Sequence, residues 1–98
     1  VSRVRLDAAA RAEFLHEVLY YETVQRGLGR KFRESIDTAV ERLLRVPDSG
    51  RPEDLDCRRI RVEGFPFSLV YRVEARETVI YAVRNDARQP GYWLERAK

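Results

Sequence analysis

Two arginines, Arg59 and Arg61, alternate with Ile60 and Val62 in the segment Cys57 to Val62. In an extended strand that spacing puts both guanidinium groups on one face and both aliphatic side chains on the other. A guanidinium is planar, permanently charged and able to hold phosphate or carboxylate through two parallel hydrogen bonds, so the pair is a candidate anion contact. The surrounding charge agrees. Residues 57–98 carry nine basic and five acidic side chains, net +4, whereas residues 1–56 carry ten and eleven, net −1. Positive charge is concentrated toward the C-terminus, as on a surface that meets phosphates or an acidic partner. A solvated strand face in an arginine-rich chain has the same composition, and seventeen of the nineteen basic residues are arginine.

Other reactive residue types are sparse. His16 stands beside Leu15 with Glu13 and Glu17 nearby and no partner constellation around it, which reads as a surface residue. Cys57 is the single cysteine, so an internal disulfide is excluded, and no histidine pairs with it by sequence. One histidine and one cysteine are too few soft ligands for a zinc site. Neither a Gly-rich phosphate loop nor a Gly-x-Ser-x-Gly elbow occurs. No metal and no cofactor is expected.

The apolar spacing defines the elements that must position these side chains. Val4 and Leu6 alternate with Arg3, Arg5 and Asp7 as in a short strand, and Asp7 is placed to cap a helix. Ala8, Ala12, Leu15 and Leu19, with Phe14, Val18 and Tyr21, recur at helical spacing from Ala8 to about Arg26. Of Tyr20 and Tyr21 one should be core and the other exposed. Gly27-Leu28-Gly29 turns the chain, and Leu28, Phe32, Ile36, Ala39, Val40 and Leu43 form a second stripe that Pro47 ends. Two helices joined by so few residues pack as a hairpin. After a polar connection, 48–56, the period changes to two. Strands are expected over Cys57–Val62, Phe67–Val73 and Thr78–Arg84, the middle one covered on both faces, with Glu74 to Glu77 as a turn. In the last strand Val79, Tyr81 and Val83 oppose Thr78, Ile80 and Ala82. Pro90 to Leu94 begins a short C-terminal helix or tail, in which Tyr92 and Trp93 either cover the sheet edge or close the core.

The expected fold is α+β, β-α-α-β-β-β, an antiparallel sheet with the helical hairpin on one face and the other face partly open. Arg59 and Arg61 belong on that open face. At 98 residues and 11.5 kDa the chain is expected to be one domain, 1–98. The longest uncharged run, Gly64 to Tyr71, is far short of the ~20 residues of a membrane-spanning helix. The opening residues Val-Ser-Arg-Val-Arg-Leu-Asp lack the apolar stretch of a secretion signal, and a cytosolic location is expected.

The segment Ala82-Val83-Arg84-Asn85-Asp86-Ala87-Arg88-Gln89-Pro90-Gly91-Tyr92-Trp93 resembles the closing motif of the RelE/ParE toxin superfamily. Tyr20-Tyr21-Glu22, the Gly27-Leu28-Gly29 break followed by Phe32, the Pro47 stop, Arg58-Arg59 and Phe65 to Val73 resemble it too, in order and spacing. The resemblance spans nearly the whole chain. It implies the toxin half of a type II toxin–antitoxin (plasmid-stabilisation) pair, neutralised by a cognate antitoxin whose acidic and apolar segment lies across the helical hairpin or a sheet edge. Homodimeric and heterotetrameric arrangements are both compatible with it.

The superfamily divides by target. One branch resembles RelE and cleaves messenger RNA on the ribosome, where the ribose 2′-hydroxyl attacks the adjacent phosphate and needs proton transfer and cationic stabilisation. For that alternative Arg59, Arg61, Arg72, Arg84 and Arg88 would supply charge and Tyr92 would take the place of the family's C-terminal tyrosine. Two residues depart from the nuclease pattern. Ser68 stands where an arginine often precedes the Leu-Val-Tyr of the central strand, and Asn85 stands where a histidine is usual. Asparagine exchanges no proton near neutral pH, and a tyrosine of ordinary pKa near 10 is a poor base. The resemblance therefore favours the ParE-like branch, which poisons DNA gyrase by binding, with Arg59, Arg61, Arg84, Arg88, Tyr92 and Trp93 as the target-binding set. A third reading, a non-toxic member that retains only partner binding, rests on Ser68 and Asn85 together.

Overall fold

The computed structural model describes residues 3–98. Val1 and Ser2, the first residues of the opening segment that lacks the apolar stretch of a secretion signal, lie outside the described residues. In chain order the elements are β1 (Val4–Leu6), α1 (Ala8–Val24), α2 (Leu28–Arg45), β2 (Arg51–Pro52), β3 (Arg58–Val62), β4 (Phe67–Val73), β5 (Thr78–Asn85) and a single 3-10 turn (Leu94–Ala97). The expected β-α-α-β-β-β order is present, with β2 added inside what reads as a polar connection.

Asp7 caps α1 by accepting from the Ala9 amide at 3.2 Å. At the far end Glu22 organises the turn into α2: its carboxylate accepts from the amides of Gly27 (3.0 Å) and Gly29 (3.1 Å), an anion placed on the positive end of the second helix. Gly27 takes φ +87°, and a Cβ on Gly29 would lie 2.5 Å from the Val18 carbonyl oxygen, so the two helices meet where no side chain fits. Among the described residues no helix is long and apolar enough to cross a membrane.

The sheet order is β1-β5-β4-β3-β2. Successive reversals make β2 to β5 antiparallel, whereas β1 pairs parallel with β5, Val4 beside Thr78 and Leu6 beside Ile80. The expected antiparallel sheet is thus mixed at one edge, because the helical excursion between β1 and the remaining strands leaves β1 free to run with β5. The helical hairpin covers one face. Phe32, Ile36 and Leu43 of α2 pack there on Ile60, Val62, Phe67, Leu69, Tyr71, Ile80 and Val83. Tyr21 joins them, its ring 4.9 Å from that of Phe65 and 5.3 Å from that of Phe32, while Tyr20 is exposed.

The other face is not open. Trp93 and Ala97 fold over it onto Cys57, Val70, Val79, Tyr81 and Ala82, and Trp93 is 0% exposed. Val70 of β4, with Val79, Tyr81 and Ala82 of β5, makes the outer side apolar there, and the tail supplies the cover that this patch requires. A β-bulge determines which β5 side chains point there: Val70 pairs with Ala82 and Tyr71 with Ile80, so Tyr81 is the extra residue. The bulge shifts the alternation by one, which places Val83 with Ile80 on the helical side and corrects the expected grouping of Val83 with Val79 and Tyr81.

Residues 53–57 join β2 to β3 as a hairpin, closed by the Glu53 amide donating to the Cys57 carbonyl at 2.8 Å. The Cys57 amide donates to the Asp54 carbonyl at 3.1 Å, and the central residues Leu55 and Asp56 have φ +57° and +59°. Two left-handed residues define the I′ type, whose usual signal is Asn-Gly. Leu-Asp carries no such signal, which is why this hairpin is invisible in the sequence. Leucine in the left-handed region is strained and Leu55 is solvent-exposed, so Leu55→Asn is expected to stabilise the protein by about 0.5–1 kcal/mol. Urea unfolding checks this; an unchanged or lowered midpoint contradicts the strain.

Candidate functional site

The tail is held by one carboxylate. Glu13, on α1, accepts from the Val83 amide at 3.0 Å, from the Tyr92 hydroxyl at 2.8 Å, and from Arg96 Nη1 and Nη2, both at 3.0 Å. Arg96 Nη1 also donates to the Tyr81 carbonyl at 3.0 Å. The geometry follows from where β1 stops. β1 ends at Leu6, the Asp7 amide still reaches the Ile80 carbonyl, and beyond it the outer edge of β5 has no strand beside it. Glu13 and Arg96 take the backbone groups that the missing strand would have taken. Arg88 stacks over the Tyr92 ring at 3.8 Å. Burial, and then the hydrogen bond to Glu13, push the Tyr92 phenol well above its ordinary pKa. Sequence reasoning treats Glu13 only as a neighbour of His16. The available signal is that it lies three residues beyond Ala10, on the buried side of α1.

At the opposite end of the outer face Arg72 secures the last residues. It donates to the carbonyls of Ala97 (2.9 Å) and Leu55 (3.1 Å), pairs with Glu74 at 2.7 Å and lies 5.1 Å over the Tyr81 ring. The pairing raises the Arg72 pKa, and the Arg72 and Tyr81 hydrogen bonds hold the Glu74 carboxyl below its usual range. Arg84 is buried, beside Asp86 at 3.9 Å. Ser68 is cross-strand from both Arg61 and Arg84, and its hydroxyl donates to Asp86 at 2.8 Å. The Asn85 side chain accepts from the Ala87 amide at 2.9 Å, shaping the turn after β5. Cys57 is buried, and burial raises its thiol pKa, which makes it a poor nucleophile. The His16 ring is exposed beside Glu17.

The expected arginine set is therefore divided. Arg72 is tied to the chain's own tail, Arg84 is buried, Arg88 belongs to the tail clamp with Tyr92, and Trp93 closes the core. Only Arg59 and Arg61 share a surface, at the β3 edge. There they meet two residues that the sequence reading does not include, Arg42 at the end of α2 and Arg51 of β2, around an open groove of about 440 Å³. Among the described residues no group of three or more His, Cys, Asp or Glu converges as a metal site would.

Residues 4–90 match the family model described as the ParE toxin of type II toxin–antitoxin system, parDE. The chain is similar in fold to a solved structure titled "Chromosomal ParDE TA system from P. aeruginosa", with a TM-score of 0.77 and 23% identity over 86% of this chain and 95% of that one. No curated protein matches by sequence.

Removing the Glu13 charge strands Arg96, so Glu13→Gln is expected to cost about 2–3 kcal/mol, reduced from a fully buried pair by partial exposure. Tyr92→Phe loses one charge-assisted hydrogen bond and is expected to cost about 1–2 kcal/mol. Because folding raises the Tyr92 pKa, its contribution is complete below about pH 10 and is lost as pH rises beyond that. The wild type should lose stability more steeply than Tyr92→Phe above that pH. Glu74 behaves oppositely: its lowered pKa gives stability above about pH 4.3 that falls away on acidification, and Glu74→Gln should flatten that slope. Denaturant unfolding across pH reads both; parallel curves for wild type and variants contradict the assignments.

Proposed function

The chain belongs to the ParE toxin family of type II toxin–antitoxin systems, and from that premise we propose that it acts by binding DNA gyrase and is neutralised by a cognate antitoxin. The observation that carries the binding reading over messenger RNA cleavage is the engagement of Tyr92. A cleaving site needs a group that takes a proton from the 2′-hydroxyl. The Tyr92 hydroxyl is committed as a donor to Glu13, and its pKa is displaced further from neutrality. Ser68 and Asn85, at the positions where nucleases of the superfamily tend to carry arginine and histidine, are occupied with Asp86 and the turn after β5. Arg72 and Arg84 are used internally. Arg59 and Arg61 remain to face a target.

The antitoxin reading has its own support on α1. That helix buries only Ala10 fully, while Leu15, Leu19, Tyr20 and Val24 are exposed, Leu19 by 69%. An apolar run of this kind on a charged protein marks a covered surface. Beside it a groove of about 400 Å³ has Leu6, Phe14 and Leu15 within it and Arg5 and Arg11 around it. An acidic, apolar segment that orders on binding complements that surface.

Purified protein is expected to inhibit gyrase supercoiling and to trap cleaved DNA on the enzyme. Supercoiling and cleavage unaffected at protein excess would contradict the gyrase reading, and new codon-phased messenger 5′ ends on induction would replace it with the nuclease. Leu19→Glu is expected to weaken antitoxin capture at least about tenfold, from the loss of one buried leucine. Unchanged capture would move the antitoxin off α1, and self-association abolished by the same substitution would assign the stripe to a homodimer.

A further inference from the structure

We infer that the groove at the β3 edge grips the phosphate backbone of double-stranded DNA, so that the toxin holds the duplex as well as the enzyme. The identity of the duplex, the DNA carried by gyrase, rests on the gyrase reading; the groove's affinity for a phosphodiester backbone does not. Four guanidinium groups from three elements line it: Arg42 of α2, Arg51 of β2, and Arg59 and Arg61 of β3. Among the described residues Arg42, Arg51 and Arg61 make no ion pair, and the one carboxylate ion-paired with the cluster is Glu53, 2.7 Å from Arg59.

The register makes the clustering costly. Arg51 lies directly across from Arg59 on the antiparallel strand, an arrangement in which like charges oppose folding. The strand is fixed in that place. Gly50, immediately before Arg51, is so close to the sheet that a Cβ would lie 2.6 Å from the Tyr71 hydroxyl and 2.8 Å from the Arg59 carbonyl. The Tyr71 hydroxyl ties the connection from both sides, donating to the Pro47 carbonyl at 2.7 Å and accepting from the Gly50 amide at 3.0 Å. A rigid edge that forces arginines together is arranged for an anion. The groove is an open trough rather than an enclosed cavity, which suits an extended polyanion. Ile60 is its one aliphatic lining residue and is itself buried. An acidic protein segment would want apolar anchor points in such a site, whereas phosphodiester contacts need none.

Fluorescence anisotropy of a labelled 20-base-pair duplex, without gyrase, tests the groove separately from the enzyme. Arg51→Glu/Arg61→Glu is expected to lower duplex affinity at least tenfold at 50 mM salt and to reduce the slope of log K against log salt by about 2. Arg26→Glu/Arg33→Glu, which changes net charge equally and lies outside the groove, is expected to change affinity less than threefold. Glu53→Gln, which frees Arg59, should tighten binding about threefold. Equal losses in the two double variants, or no loss in the first, would overturn the inference, since binding would then follow net charge alone. Tighter binding of a poly-glutamate peptide than of the duplex would overturn it in favour of an acidic protein partner. Gyrase inhibition is measured in parallel on the same variants: a groove that binds duplex in a protein without effect on gyrase refutes the gyrase reading alone.

Discussion

The arrangement of the outer sheet face depends on a single carboxylate. Glu13 sits where β1 has run out and β5 continues, and it joins the helical layer, the sheet edge and the C-terminal tail through four hydrogen bonds. A three-residue parallel strand cannot cover an eight-residue neighbour. The uncovered part of β5 would be an exposed edge, the feature that promotes unwanted pairing with other chains. Glu13 closes it with a side chain, and Arg96, held by the same carboxylate, closes the adjacent carbonyl. With the tail anchored there, Trp93 seals the outer face.

This constraint divides the arginines. Those near the tail and along the outer face are engaged: Arg96 with Glu13, Arg72 with the last residues and Glu74, and Arg84 in the interior. The arginines that keep a common open surface are displaced to the other edge of the sheet, where β2 and the end of α2 contribute Arg51 and Arg42. The same anchoring fixes the role of Tyr92 in the architecture.

Much of the fold is legible because its determinants are local or periodic. The apolar stripe from Leu28 to Leu43, the continuous run in β4 and the glycines at the helix turn each specify their element directly. Features that depend on pairing are not legible. The bulge at Tyr81 reverses the side occupied by Val83, and nothing in Thr-Val-Ile-Tyr-Ala-Val marks it, because a bulge is a property of two strands. β2 is two residues long and carries a proline, too short for periodicity. Of the site, Arg59 and Arg61 could be placed on one strand face, but their companions Arg42 and Arg51 come from other elements, and only tertiary packing brings them together. Tyr92 and Trp93 are adjacent in sequence and take different roles, one hydrogen-bonded to Glu13 and one buried, a distinction set by the face on which each lands.

The central claim is that Glu13 takes the place of a missing strand at β5. Amide hydrogen exchange at Val83 tests it most directly, because that N–H has the Glu13 carboxylate as its acceptor. Protection comparable to that of the neighbouring β5 amides paired with β4, lost selectively in Glu13→Ala, is the predicted result. Exchange at the rate of a solvent-exposed amide in the wild type would contradict it.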